Sequence, residues 1–221
     1  MDNVSCVIRS VGERTEKLCY KNLSEIGLNP VIVTGNPFYA TLKRSFNEAI
    51  KMDKEYCVMV MIDADCIPFQ GEILEFINKA ISICEYSVLS KMDCFIFGMI
   101  RRNGARVYKT EKLKKTVKLI ENIDRPESSL HKEYGIKHID IVCCKHGYEQ
   151  YFRDLWRTVY MHGIKSRDSK VLKKRYEYWK SQLDIESRIC ATAYEEGIKS
   201  TNKKTPPLYY EKFNIEERSP F

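Results

Sequence analysis

The sequence predicts an α/β protein, with a mostly parallel central sheet flanked by helices and a helical C-terminal extension. Three observations carry this. Strand and helix signals alternate over roughly the first 90 residues. Residues 57–62 form an unbroken β-rich apolar run, the pattern of a strand buried on both faces. Beyond residue 148 apolar side chains recur every three or four positions.

Each element follows from local pattern. Residues 4–8 are a short apolar strand ended by Ser10-Val11-Gly12. Residues 15–26 place Leu18, Cys19, Leu23 and Ile26 on one helical face, and Gly27 with Asn29-Pro30 stops the helix. Residues 31–33 are a second strand. Leu42, Phe46, Ala49 and Ile50 mark a helix, and the strand over 57–62 runs into Asp63-Ala64-Asp65. Ile73, Phe76, Ile77, Ala80 and Ile81 make a third amphipathic helix. The order βαβαβα argues for parallel strands joined by crossover helices. Residues 94–100 then predict a strand, Asn103-Gly104 a hairpin turn, and Leu113, Val117 and Ile120 a helix. Residues 138–144 are a further strand. The expected division is an α/β domain over 1–163, a helical extension over 164–204 and an extended tail over 205–221, opened by Thr205-Pro206-Pro207.

Composition narrows the class. With 221 residues, 43% apolar and 30% charged, the chain is long enough to bury its own core and unlike a disordered one. The longest apolar run, 56–62, is too short to span a bilayer. Met1-Asp2-Asn3 lacks the basic start and apolar stretch of a signal peptide, which points to a cytoplasmic protein. The nine cysteines form no CxxC pair, so the expectation is reduced thiols, no disulfide and no zinc site. The net charge is +7, and residues 101–118 alone, with eight basic residues against Glu111, equal that surplus. An anionic partner at one place is expected, and no nucleic-acid motif accompanies the charge.

Asp63-Ala64-Asp65 is the sharpest chemical signal. Ligands of open parallel sheets bind outside the carboxyl ends of the strands. Two carboxylates there need a cation or a hydrogen-bond network, and hard oxygen ligands suit Mg²⁺ or Mn²⁺. A pair of turn aspartates capping the next element is the alternative. Two enzyme chemistries use an apolar strand ending in Asp-x-Asp. One is phosphoryl transfer of the haloacid-dehalogenase type with Asp63 as nucleophile. That pattern wants Thr or Val where Ile67 stands, and it usually lies on the first strand. The other is glycosyl transfer from a nucleotide sugar. A non-catalytic nucleotide-binding scaffold is a further reading.

Several stretches bear on the choice. They are Leu42-Lys43-Arg44-Ser45-Phe46-Asn47-Glu48-Ala49, the strand Val58-Met59-Val60-Met61-Ile62 with Asp63-Ala64-Asp65, then Arg125-Pro126-Glu127 with Leu130, Lys132 and Gly135, and a strand over 139–143 leading to His146. Over residues 4–162 the chain thereby resembles the family 2 glycosyltransferases and related enzymes of the GT-A fold, a Rossmann-like architecture. The resemblance implies a metal-dependent, inverting transfer of a sugar from a nucleotide-diphosphate sugar to an acceptor hydroxyl, in polysaccharide or glycolipid assembly. It implies Asp65 as the main ligand of Mn²⁺ or Mg²⁺, Asp63 on the metal or the ribose, and Glu127 as general base with Asp124 as rival. His146 would complete the metal shell or bind phosphate, and Arg9, Asn36 and Arg44 would lie toward the nucleotide. Glu127 is equally a first-turn carboxylate facing a helix dipole, His146 an ordinary hydrogen-bonded residue, and Lys43 and Arg44 a solvated helix face. Asn36 departs from the acidic residue usual in the family, and the 61 residues between Asp65 and Glu127 make a compact middle section.

The basic segment has three readings: contact with the diphosphate or an acidic acceptor, docking on an anionic membrane surface that carries a lipid-linked acceptor, or a solvated face. The C-terminal aromatics Trp156, Tyr160, Tyr176, Tyr178, Trp179 and Tyr194 suit a core, a homo-oligomer contact or a peripheral membrane contact. The glycan or lipid-linked acceptor would meet this part of the chain at the inner face of a membrane.

Overall fold

A computed structural model of the chain describes residues 2–35, 38–60, 64–120, 126–200, 213, 215–219 and 221. It falls into two compact units. The first holds the described residues up to Cys94, then those of Met99–Tyr148 and Phe221, and the second holds Phe95–Gly98 and the described residues of Glu149–Pro220. The division expected at residue 163 falls within a helix of the second unit.

The first unit runs β1 (Val4–Ser10), α1 (Glu16–Glu25), β2 (Val31–Thr34), α2 (Phe38–Lys51), β3 (Tyr56–Val60), β4 (Cys66–Pro68), α3 (Gln70–Ile83), β5 (Ser87–Cys94), β6 (Met99–Lys109), α4 (Thr110–Thr116), α5 (Pro126–Tyr134) and β7 (Lys137–His146). The seven strands form one sheet in the order β2-β1-β3-β6-β5-β7-β4. Three neighbouring pairs are parallel (β1·β2, β1·β3, β5·β7) and three antiparallel (β3·β6, β5·β6, β4·β7). Traced across the sheet, β1, β2, β3, β5 and β7 share one direction, while β6 and β4 oppose it. The α/β class with helix flanks thus holds, and the parallel set is interrupted by one antiparallel strand and closed by another.

Alternation along β1 explains why its apolar run is continuous. Cys6 and Ile8 pack on one face with Leu23 of α1 and with Ile73, Phe76 and Ile77 of α3. Val7 packs on the other with Leu42 and Phe46 of α2, Leu113 of α4 and Leu130 of α5. Both faces are covered, so both are mainly apolar, and the buried Arg9 needs a counter-charge.

Two sequence expectations are corrected here. The strand expected over 94–100 is the end of β5, a turn at 95–98 and the start of β6. Its apolar residues Phe95, Ile96 and Phe97 belong to the core of the second unit, which is why a turn reads like a strand. Asn103-Gly104 does not turn the chain either: β6 runs straight through it. Asn103 has φ 96°, and the β5·β6 register shifts opposite, between Leu89 and Lys91, so the pair forms an irregularity within a long strand. Both β4 and β5 were missed, one for brevity and the other because Ser87, Ser90, Lys91 and Asp93 break its apolar pattern.

The second unit contains α6 (Phe152–Lys165), α7 (Lys170–Ser181) and α8 (Ile185–Lys199). Asp184 and Ser169 cap α8 and α7 by accepting from Ser187 and Leu172 backbone N–H groups. The Glu217 carboxylate accepts from the N–H groups of Phe152 (2.7 Å) and Arg153 (3.2 Å), capping α6. α6 and α8 approach closely at Gly163 and Gly197, where a Cβ on Gly163 would stand 2.8 Å from the Tyr194 carbonyl oxygen. Trp156, Tyr160, Trp179 and Tyr194 fill this unit's core, whereas Tyr178 is exposed. Among the described residues no helix is long and apolar enough to cross a membrane.

Candidate functional site

Because five strands share a direction, their carboxyl ends meet at one edge of the sheet: Ser10, Thr34, Val60, Cys94 and His146. The chain leaves the strands here in loops held by short polar contacts. After β1, Glu13 accepts from Ser10 Oγ (2.7 Å) and from the Val11 N–H (2.8 Å). After β2, Gly35 donates its N–H to the Ser10 carbonyl (3.2 Å), and Thr41 Oγ1 donates to the Gly35 carbonyl (2.6 Å). The Arg44 guanidinium occupies the place a Cβ would take on Gly35, so a side chain there would displace the arginine. Beyond β3, Thr15 Oγ1 donates to the Ala64 carbonyl, and Gly147 N–H to that of Asp65 (3.1 Å).

One cluster at this edge is built on His146, the last residue of β7. It is paired in register with Cys66 of β4 on one side and Cys94 of β5 on the other. Its Nε2 lies 3.3 Å from Asp65 Oδ2 and its Nδ1 3.6 Å from Cys94 Sγ. Ligand atoms of Asp65, Cys66 and His146 all lie within 4.8 Å of one another. The Asp65 and His146 side chains are 18% and 16% exposed, enough to be reached from solvent, while Cys66 and Cys94 are buried. The set offers one carboxylate oxygen, one imidazole nitrogen and one sulfur, which fits a divalent cation but is not the all-oxygen shell that Mg²⁺ prefers.

A second cluster lies on the other face of the sheet. Glu127, in the first turn of α5, has Oε1 2.8 Å from Arg106 of β6 and 3.8 Å from Arg9 of β1. The three side chains are 5%, 2% and 12% exposed for Arg106, Arg9 and Glu127. Arg106 also donates to Tyr108 Oη (3.2 Å). Burial works against the Arg106 charge, but Glu127 and Tyr108 outweigh it and hold the guanidinium ionised. Burial pushes the Tyr108 hydroxyl up to about 12, against the pull of Arg106. His131, one turn further along α5, is pushed down to about 4 by burial and then by Arg106.

The predicted site residues therefore separate into groups. Asp65 and His146, distant in sequence, meet in space, and Arg9 and Arg44 stand at the same edge of the sheet. Glu127, expected as a base, is engaged by two buried guanidiniums. Asn36, Asp63 and Asp124 lie outside the described residues. Sequence reasoning missed Cys66, Cys94 and Arg106. The register of β4 and β5 beside β7 was the signal for the two cysteines, and it required strands that were not recognised. Arg106 was hidden inside the basic segment.

That segment is not one patch. Arg101 and Arg102 lie near the start of β6, which pairs with Cys94 at the site edge, while Lys109 pairs with Tyr56 at the start of β3. At about 3.4 Å per residue the eight steps from Arg101 to Lys109 span roughly 25 Å. The lysines of α4 stand at the opposite edge, where Lys114 approaches the exposed Asp53 (3.4 Å).

No protein-family model matches the chain, and no curated protein matches its sequence. Solved structures of similar shape include 4-diphosphocytidyl-2C-methyl-D-erythritol synthase from Anaerococcus prevotii, with TM-score 0.47 and 8% identity over 62% of this chain and 86% of that one. A glycosyltransferase involved in glycosylation of the major capsid of PBCV-1 gives 0.46 and 13%, over 65% and 92%. CMP:2-keto-3-deoxy-manno-octonic acid synthetase gives 0.42 and 8%, over 64% and 90%. These are loose likenesses of shape and bear on neither chemistry nor substrate.

Proposed function

We propose that the chain is a metal-dependent glycosyltransferase that moves a sugar from a nucleotide-diphosphate sugar to an acceptor hydroxyl on a glycan or lipid. The observation that carries this is the meeting of Asp65 and His146, 81 positions apart in sequence, at the carboxyl edge of five co-directional strands. That edge is where open α/β sheets bind ligands. Asp65 and His146 would hold the cation, Mn²⁺ or Mg²⁺ by the family resemblance. When bound, the cation would neutralise the donor's diphosphate and stabilise the leaving group. Arg44 of α2, whose guanidinium lies against Gly35 just after β2, would meet the nucleotide's phosphates or ribose. Glu127 orients Arg9 and Arg106 through their shared ion pair. Inversion and a role in polysaccharide or glycolipid assembly at the inner face of a membrane come from the resemblance alone.

The test is a thermal-shift panel of nucleotide-diphosphate sugars with and without divalent cation. A ligand bound only by the native state stabilises it by about 2.7 kcal/mol at a concentration 100-fold above its Kd. The expected result is a cation-dependent rise in Tm for one donor class, abolished in Asp65→Ala. Shifts that ignore the cation, or none with any donor, would overturn the proposal.

A further inference from the structure

We propose that Cys66 is a third protein ligand of this site, and that the site selects a thiol-accepting cation of the zinc class over Mg²⁺ or Mn²⁺. This rests on the proposed metal site at Asp65 and His146 and gives the cation a chemical identity. It also departs from the expectation of no zinc site, which followed from the lack of CxxC spacing.

The geometry is specific. Cys66 follows Asp65 directly and is the β4 residue opposite His146, so one turn and one ladder rung bring O, N and S together. Atoms sharing one tetrahedral ion stand about 3.5 Å apart, given metal–ligand bonds of about 2.0–2.3 Å. Modest side-chain rotation closes a spread of 4.8 Å to that value. The sulfur is buried and the oxygen and nitrogen partly exposed, so a cation arriving from solvent meets Asp65 and His146 with Cys66 beneath them. Cys94 supplies the support such a histidine needs. With Nε2 on the metal, the Nδ1–H points at Cys94 Sγ, 3.6 Å away, and fixes the ring's tautomer and orientation.

The donor set then decides the metal. Mg²⁺ demands near-octahedral oxygen, and affinity for mixed N and S donors rises from Mn²⁺ through Fe²⁺ and Co²⁺ towards Zn²⁺. Three protein ligands leave one tetrahedral position for water or a substrate oxygen, the pattern of a catalytic rather than a structural zinc site.

The experiment uses the full-length protein, chelator-treated and reduced. One equivalent of Co²⁺ should give a near-ultraviolet thiolate-to-cobalt charge-transfer band. One equivalent of Zn²⁺ should bleach it, and a ~100-fold excess of Mg²⁺ or Mn²⁺ should not. Cys66→Ser should abolish the band and weaken Zn²⁺ binding at least ~10-fold, while Cys190→Ser, in the other unit, changes neither. X-ray absorption on the zinc-loaded wild type should show one sulfur at about 2.3 Å with nitrogen and oxygen at about 2.0–2.2 Å, a result that requires no variant to fold. A shell of nitrogen and oxygen alone, a charge-transfer band that persists in Cys66→Ser, or Mn²⁺ displacing Zn²⁺ at equal concentration overturns the proposal and leaves the transferase reading standing. Sulfur ligation without binding of any nucleotide sugar keeps the metal site and removes the transferase.

Discussion

Two polar clusters lie on opposite faces of the first unit's sheet, and they manage charge in opposite ways. Arg9, Arg106 and Glu127 are almost wholly buried and compensate charge by ion pairing, with Arg106 also donating to Tyr108. Asp65 and His146 are partly open and in contact, and with the buried Cys66 they bring three ligand atoms close together. A buried knot of charge is rigid and costly to disturb, since removing one partner strands the other without solvent. An open donor set can exchange its internal contacts for a ligand at little cost. On the proposed reading the first cluster is structural and the second carries the chemistry, although sequence motifs pointed at both.

The sharpest way to break this contrast is Glu127→Gln. If Glu127 is the counter-ion of Arg106 and Arg9, its loss should destabilise the first unit by about 3–5 kcal/mol, measured by urea denaturation. Replacing Arg106 and Glu127 together by apolar residues should recover part of that. A loss of stability under about 1 kcal/mol with turnover abolished would instead make Glu127 the acceptor's base, as the resemblance implied.

His146→Ala probes the other side of the contrast. Metal affinity should fall 10- to 100-fold by calorimetric titration. The urea midpoint should move little, because the ring lies at the strand end and is partly solvated. A stability loss as large as that of Glu127→Gln would show that both clusters are structural braces.

A smaller effect separates the clusters by pH. His131, held down to about 4 by burial and by Arg106, stays neutral in the folded chain while an unfolded histidine titrates near 6.5. Between these values the unfolded state binds more protons, so stability is full above about pH 6.5 and falls as pH drops towards 4. A tenfold difference in proton affinity between the two states is worth about 1.4 kcal/mol, and partial exposure of the ring reduces the total to roughly 2 kcal/mol. His131→Phe should flatten the stability profile over that window. An unchanged slope would place its origin in other groups.

The α/β class, the early βαβαβα order and the helical end were legible because each rests on local periodicity and on turn residues. Asp65 and His146 were legible through a motif, and the sheet brought them together. What was not legible depended on register. Cys66 and Cys94 become neighbours of His146 only once β4, β5 and β7 pair, and the three residues of β4 carry no pattern of their own. The turn at 95–98 misled because its apolar side chains serve a core encoded some 50 residues later. Arg106 looked like one more surface cation, since nothing local distinguishes a buried arginine from its solvated neighbours.

The basic segment supplies the smallest effect and the last contrast. On the sequence, Lys112, Lys114 and Lys115 belong to the same charge run as Arg101 and Arg102, and neutralising them would be expected to impair use of an acidic substrate. In the fold they sit at the far edge of the sheet, beyond Lys109 and roughly 25 Å along β6 from Arg101, on the side of the sheet away from Cys94 and His146. That is more than three Debye lengths of about 8 Å at physiological salt, so their field at the site is largely screened. Lys114 makes an exposed pair with Asp53, of a kind worth about 0–1 kcal/mol. The triple alanine variant should therefore leave donor affinity within about twofold and stability within about 1 kcal/mol. Arg101→Ala and Arg102→Ala, near the site edge, should weaken binding of an anionic ligand with a salt dependence the triple variant lacks. If the α4 lysines prove the more damaging, the anionic partner docks at the amino-terminal edge of the sheet, and the carboxyl edge is only part of the binding surface.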